Sequence, residues 1–371
     1  MQRILYALGF LCLFGISAQA QDPSFSQFYA NRVYLNPAFT GIEAGITVSG
    51  VSRMQWLNVD RGFRTYGFNV ELQEPSLNSG IGLSLIHDQQ GLAQLQTTTV
   101  GLSYAYTIPF EHHNIHIGIQ YQYVQKAIDW SKITFSDQLD PLYGAVYETA
   151  AVPIFDRVSH SDFGAGVVWR FDTDMKISKK KTLRDTRHSL GISMHHLPAL
   201  FNPNGGNESF LNLGTRVSPR MTLHAGSVIP VWFFNGSKKT IALSPNIKYD
   251  VQGDQLARTR QNLQVLTYGC YLIYEGVYVG ALYQNKRPLA GVQNTNALIL
   301  AFGTFIESKK PGKSNNMFVG LSYDANTTGL GSRAGGVIEA AFRWNFNDAP
   351  GLFGGSRKSS AKRAMDCTRF F

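Results

Sequence analysis

From Gly45 onward the chain alternates, residue by residue, between apolar and small or polar side chains. The clearest run is Asn114–Tyr123. Ile115, Ile117, Ile119, Tyr121 and Tyr123 fall on one face, and Asn114, His116, Gly118, Gln120 and Gln122 on the other. Val100–Ile108 and Phe163–Phe171 repeat the pattern. A period of two belongs to strands, whose successive side chains point to opposite faces. About fourteen such segments run from Ile46–Gln55 to Gly336–Phe346, each near the roughly nine to eleven residues of a tilted spanning strand. The pattern predicts an all-β fold: a transmembrane antiparallel β-barrel of about 14 strands over residues 45–346, apolar faces toward lipid and small or polar faces inward.

Connection lengths test that count, because periplasmic turns are short and external loops longer. With the first strand starting on the periplasmic side, Glu74–Ser79, Pro109–His112 and Glu275-Gly276 fall in the periplasm, and all are short. Gln125–Asp162 and His196–Thr215 fall outside, and both are long. One stretch conflicts: Asp172–Arg187 is long and basic, yet is assigned to the periplasm.

Two flanking regions lack this period. Residues 1–20 read as a signal peptide, with Arg3, an apolar Ile4–Ile16 and a small-x-small site at Ala18-Gln19-Ala20. Residues 347–371 form a basic tail, expected to be flexible and periplasmic, with Lys362 and Arg363 in its cluster of positive charge. Between signal and barrel, Asp22 is placed to cap a short helix with Pro23 at its first position. Phe25, Phe28, Tyr29 and Arg32 follow at helical spacing, Asn36-Pro37 ends the helix, and Gly41 punctuates what comes next. Residues 21–44 are thus expected to be a periplasmic arm with a short helix, packing its aromatic side on the body of the protein.

Composition narrows the class. Charged residues make up 16%, below the roughly 25% of ordinary soluble domains. Aromatics make up 12%, and Gly numbers 36. The formal charge of +9 is concentrated near Lys176–Arg187 and in the tail, which suits solvated segments. Nucleic acid is a poor partner for an exported chain. Beyond the signal only Cys270 and Cys367 remain, too few for a disulfide scaffold.

Several short motifs resemble those of the PorP/SprF family, outer-membrane proteins of the type IX secretion system of Bacteroidota. The opening stretch is similar at Asp22, Pro23, Phe25, Ser26, Gln27, Tyr34, Leu35, Asn36, Pro37, Ala38 and Gly41. Arg53, Gln55 and Trp56 look like its R-x-Q-W element, and Gly80–Gly91 like its glycine strand followed by D-x-x-G. Asp162–Trp169 carries D-x-G-x-G-x-x-W, Phe135–Gly144 an F-x-D-Q…G pattern, and Ser322–Leu330, with Tyr323 and Asp324, the C-terminal signature. The chain departs from that signature where Thr327 or Thr328 replaces the usual Ser, and in a longer basic insertion near Lys180. The resemblance implies partners: outer-membrane lipid, periplasmic ring lipoproteins and their associated proteins, and the C-terminal domains of secreted gliding adhesins. On this reading the arm motif, Tyr323, Asp324, Lys362 and Arg363 are the docking candidates. The competing expectation is a passive porin or lipid-type channel with an N-terminal plug. The inward positions, rich in Gly, Ala, Ser and Thr, suggest instead a filled or narrow interior.

Catalytic and metal chemistry find little support. His112 and His116 lie on the opposite face from His113, and Asp88, Asp137 and Asp140 lack the ligand spacing of a calcium loop and read as turn residues. Ser84 and His87 are three apart on one strand and point to opposite faces. Asp324, Thr327, Thr328 and Gly329 read as hairpin chemistry at an external rim. No catalytic, cofactor-binding or metal-binding residue is assigned.

Overall fold

Alternation becomes a closed barrel. The computed structural model describes residues 22–91, 95–149, 155–178, 181–202, 208, 210, 216–233, 240–253, 263–287, 296–307, 315–328 and 334–346. The first seven strands are β1 (Ile46–Gln55), β2 (Phe63–Glu74), β3 (Ser79–Gln90), β4 (Leu95–Pro109), β5 (His113–Ala127), β6 (Arg157–Ser178) and β7 (Lys181–His195). The second seven are β8 (Arg220–Phe233), β9 (Thr240–Gln252), β10 (Leu263–Tyr274), β11 (Val277–Arg287), β12 (Ala297–Glu307), β13 (Asn315–Asn326) and β14 (Val337–Phe346). Each pairs antiparallel with its sequence neighbours, and β14 closes on β1 from Ile46↔Phe346 to Gln55↔Val337.

The polarity is that of a protein solvated by lipid. Ile119 on the outer face of β5 is 59% exposed, while its neighbour Gln120, facing inward, is 2% exposed. Outward residues are apolar because no water reaches them in a bilayer; inward ones satisfy one another's hydrogen bonds. Aromatic pairs mark the rim with short turns: Trp344–Phe346 at 4.7 Å, Trp169–Phe171 at 4.5 Å, and Phe110 stacked on His113 at 4.4 Å. Among the described residues no helix is long and apolar enough to cross a membrane.

The two rims differ as expected. Glu275-Gly276 and residues 110–112 are tight connections at one rim, while residues 128–156 and 196–219 link strands at the other. By the loop-length rule the second rim is external. The basic stretch Asp172–Arg187 is not a loop. β6 and β7 continue through it as a paired hairpin, with Asp172↔Arg187 and Ser178↔Lys181. The conflict over a long periplasmic loop therefore disappears. The signal, and the tail with Lys362 and Arg363, lie outside the described residues.

The arm differs most from expectation. It is not a periplasmic appendage; residues 22–44 occupy the lumen. Helical structure is confined to α1 (Arg32–Leu35) and one 3-10 turn (Pro37–Phe39), and Asp22 caps neither. The aromatic stripe drives this choice. Phe25, Phe28, Tyr29 and Phe39 join Tyr271, Tyr278, Ile299 and Phe318 of the inner wall in one buried cluster. Outside the barrel those rings would have had only water or headgroups as neighbours.

Candidate functional site

The lumen wall holds the arm through its backbone. Asp22 lies at the external rim, where its N–H donates to Gln252 Oε1 (3.2 Å) and its carboxylate Oδ2 meets His196 Nε2 (2.9 Å) and Arg220 Nη1 (3.0 Å). His196 Nδ1 reaches Asp162 Oδ2 at 2.7 Å, so the imidazole bridges two carboxylates. Burial alone would lower the His196 pKa, but Asp22 and Asp162 outweigh it and raise the value to about 10. Burial opposes ionisation of Asp22 as well; His196 and Arg220 nevertheless hold its carboxyl well below the usual range.

A second anchor lies on β1, β13 and β14. Both Glu339 carboxylate oxygens accept backbone N–H groups, from Ser26 (2.8 Å) and Gln27 (2.7 Å). Arg53 donates to Glu339 (2.8 Å), Asp324 (3.0 Å) and Ser26 Oγ (2.5 Å), and Ser26 Oγ donates to Asp324 (2.5 Å). Deeper in the lumen, Asn36 Nδ2 donates to the carbonyls of Val167 (3.2 Å) and Ile192 (3.0 Å), and Ser193 Oγ to that of Leu35 (2.7 Å). Arg32 pairs with Glu43 at 2.9 Å. Near the periplasmic rim Glu71 accepts from Gly41 N–H (2.9 Å), and Asn345 donates to Ala44 O (2.9 Å). The arm thus starts at the external mouth and ends at the periplasmic rim, where β1 begins.

Inward glycines make room for it. A Cβ at Gly118 would stand 2.3 Å from Ala38 N. Gly41, at φ +63°, packs against Gly80, where a Cβ would stand 2.3 Å from Thr40 O. Glycine inside a strand often marks such close approach of another backbone.

The motif residues singled out in sequence mostly converge here. Asp22, Phe25, Gln27, Asn36, Pro37 and Gly41 belong to the plug, and Asp324 to its anchor. Pro23 offers its carbonyl to Tyr34 Oη at 2.6 Å. Phe25, Gln27, Asn36 and Asp324 are at most 4% exposed, so they form no docking surface while the arm is seated. Asp324 is an ion-pair residue rather than a turn residue, and Asp88 likewise faces inward from β3, accepting from Thr65 at 2.6 Å. Asp140 does shape a turn, accepting from the N–H groups of Leu142 and Tyr143. Tyr323 is on the lipid face. Among the described residues no group of three or more His, Cys, Asp and Glu is placed to hold a metal ion. Sequence reading missed the pairing of Arg53 with Glu339 and of His196 and Arg220 with Asp22, although charges at inward strand positions such as Arg53, Arg220 and Glu339 carried a signal that they needed partners.

Above the arm, the external mouth holds a cavity of about 680 Å³. Its floor is Asp22–Ser24, and its walls include Trp56, Phe63, Lys126, Glu208 and Lys286. Beside it residues 139–147 are shaped by Asp140 and a short ladder, Leu139↔Ala145, and present Leu142 (86% exposed) and Tyr143 (78%) to solvent.

The family model for the type IX secretion system membrane protein PorP/SprF matches residues 17–344. No curated protein matches the chain. Solved structures of similar shape include BamA from Haemophilus ducreyi lacking POTRA domains 1–3 (8% identity, TM-score 0.38, covering 81% of this chain and 70% of that one). CdiB from Acinetobacter baumannii (9%, 0.37) covers 80% of this chain, which spans only 59% of CdiB. The P. putida toluene transporter TodX (9%, 0.37) covers 85% of this chain and 93% of its own.

Proposed function

The chain belongs to the PorP/SprF family of type IX secretion system membrane proteins, and we propose that it is a non-catalytic docking barrel of that machine in the outer membrane. In this reading the external loops hold the C-terminal domains of exported adhesins, while the periplasmic side, including the basic tail, meets ring lipoproteins. The observation that carries it is the filled lumen. Residues 22–44 run from rim to rim, anchored at both ends, which favours a platform over an open conduit. The exposed tip Leu142-Tyr143 adds weight, because a preshaped apolar tip in water is the form a protein contact takes. The alternative, a passive porin or lipid-type channel, has only the barrel itself in its favour.

Purification of the full chain in mild detergent, followed by mass spectrometry of what accompanies it, tests the proposal. Secretion components and an exported adhesin domain are expected to co-purify, and truncation of Asn347–Phe371 should reduce the periplasmic partners without changing heat-modifiable migration of the barrel. Large stable conductance steps in planar bilayers, with no partner retained, would favour the channel instead.

A further inference from the structure

Cations inside this barrel are matched. Arg32 pairs with Glu43, Arg53 with Asp324 and Glu339, Arg220 with Asp22, and Lys248 with Asp250. Two lysines depart from this rule. Lys126 on β5 and Lys286 on β11 face inward on nearly opposite walls of the external cavity, and among the described residues neither ammonium has an ion-pair partner. Glu208 acts on Lys126, and Asp324 on Lys286, only through space, and the carboxylates nearby make their direct contacts elsewhere. Asp88 accepts from Thr65 and Gln90, Glu208 accepts from Val217 N–H and lies 3.6 Å from His160, and Asp324 belongs to Arg53. Two amines with no carboxylate in ion-pair contact, on facing walls of a recessed cavity with aromatic lining, favour an anionic guest.

The class of guest follows from what the same wall already holds. Below the cavity the barrel grips a polypeptide through its main chain: Glu339 takes two N–H groups, and Ser193 donates to a carbonyl. The cavity extends that lining directly above Ser24 with the amides of Gln55, Gln90, Gln122, Gln284 and Asn326, while Trp56 and Phe63 supply an apolar side. β14 ends with Phe346 at the periplasmic rim, on the far side of the filled lumen from the cavity, which argues against the chain's own tail as the guest. Residues 1–20 read as an export signal.

Resting on the docking function proposed above, we infer that the external cavity receives a carboxylate-bearing polypeptide segment of an exported partner, held between Lys126 and Lys286. The test titrates the full mature chain in detergent micelles with a blocked hexapeptide containing two Asp residues, and with its Asn isostere, by calorimetry at low salt. The Asp peptide should bind about tenfold more tightly, the scale of one partly shielded charge pair. The preference should vanish in the Lys126→Gln/Lys286→Gln variant and turn toward a Lys-containing peptide in Lys126→Glu/Lys286→Glu, with heat-modifiable migration confirming that each variant is folded. Equal binding of the two peptides to the unsubstituted chain would overturn the inference, as would a preference that survives the glutamine pair. Displacement of the peptide by equimolar inorganic phosphate would also overturn it, by marking a small-anion site. The titration uses no cellular partner, so its failure and a failed co-purification are separate results.

Discussion

On the wall formed by β1, β13 and β14 the arm is held by Arg53, Asp324 and Glu339, whose side chains are at most 2% exposed. On the opposite wall, at the mouth, it is held by Asp22, His196 and Arg220, which keep 17%, 13% and 9% of their side-chain surface. Both anchors use carboxylates and cations, but the difference in burial changes what each can do. In the dry anchor every charge depends on its partners, since water cannot replace a lost one; removing one member leaves the rest stranded. In the wetter anchor solvent competes for each partner, and an imidazole brings titration into reach. The first fixes where the arm sits. The second decides how firmly its tip is closed.

The largest break in this comparison should come from Arg53→Ala. Glu339 and Asp324 would then share a buried pocket without their guanidinium, at a cost of about 3–5 kcal/mol. The urea midpoint of the barrel in detergent should fall, and residues 22–44 should become open to protease. An unchanged midpoint would mean that the anchor carries no weight. Next comes Gly118→Val, which drives a side chain into Ala38. It should cost roughly 1–3 kcal/mol, as overpacking does. Here the barrel should still migrate as folded, while conductance appears as the arm is displaced.

These two sites also show how far sequence alone reaches. The strands were legible because lipid enforces a strict two-residue alternation: Asn114–Tyr123 sits in β5 with its apolar face outward, as read. The path of the arm was not legible. Periodicity reports which face is apolar, and says nothing of what the other face encloses. The aromatic spacing of Phe25, Phe28 and Tyr29 pointed to a helix, yet Phe28 and Tyr29 lie in a turn and Phe25 in irregular chain before it, because ring packing on Tyr271 and Tyr278 outweighs local propensity. A signal did exist. Inward glycines at 80 and 118 mark where another backbone approaches, Gly166 where the Asn36 side chain does, and inward Arg53 and Glu339, nearly three hundred residues apart, required each other once the sheet closed. Asp324 was misread for the same reason: near the end of a strand it looks like turn chemistry, and only closure of the barrel brings Arg53 to it.

Asp22→Asn sharpens the comparison from the other side. It removes the charge that His196 and Arg220 share, but solvent can fill in, so the loss should be about 1 kcal/mol. The effect should stay local: protease should reach the first residues of the arm sooner, while the urea midpoint of the barrel moves little. A fall as large as that of Arg53→Ala would erase the distinction between the two anchors.

The smallest effect is one of pH, and it belongs to the wetter anchor. His196 has a folded pKa of about 10, above the value near 6.5 of a free imidazole. Its contribution is therefore complete below about pH 6.5 and is lost as pH rises through about 10. Asp22 acts in the opposite sense: its pKa is depressed, so its contribution is present above about pH 4 and is lost only as pH falls below that. Between these limits the tip should stay closed. From pH 7 to 11, cleavage at the start of the arm should accelerate near pH 10 in the unsubstituted chain. In Asp22→Asn it should accelerate at lower pH, because His196 then keeps only the Asp162 carboxylate. Opening at the same pH in both proteins would show that the imidazole is not what closes the tip.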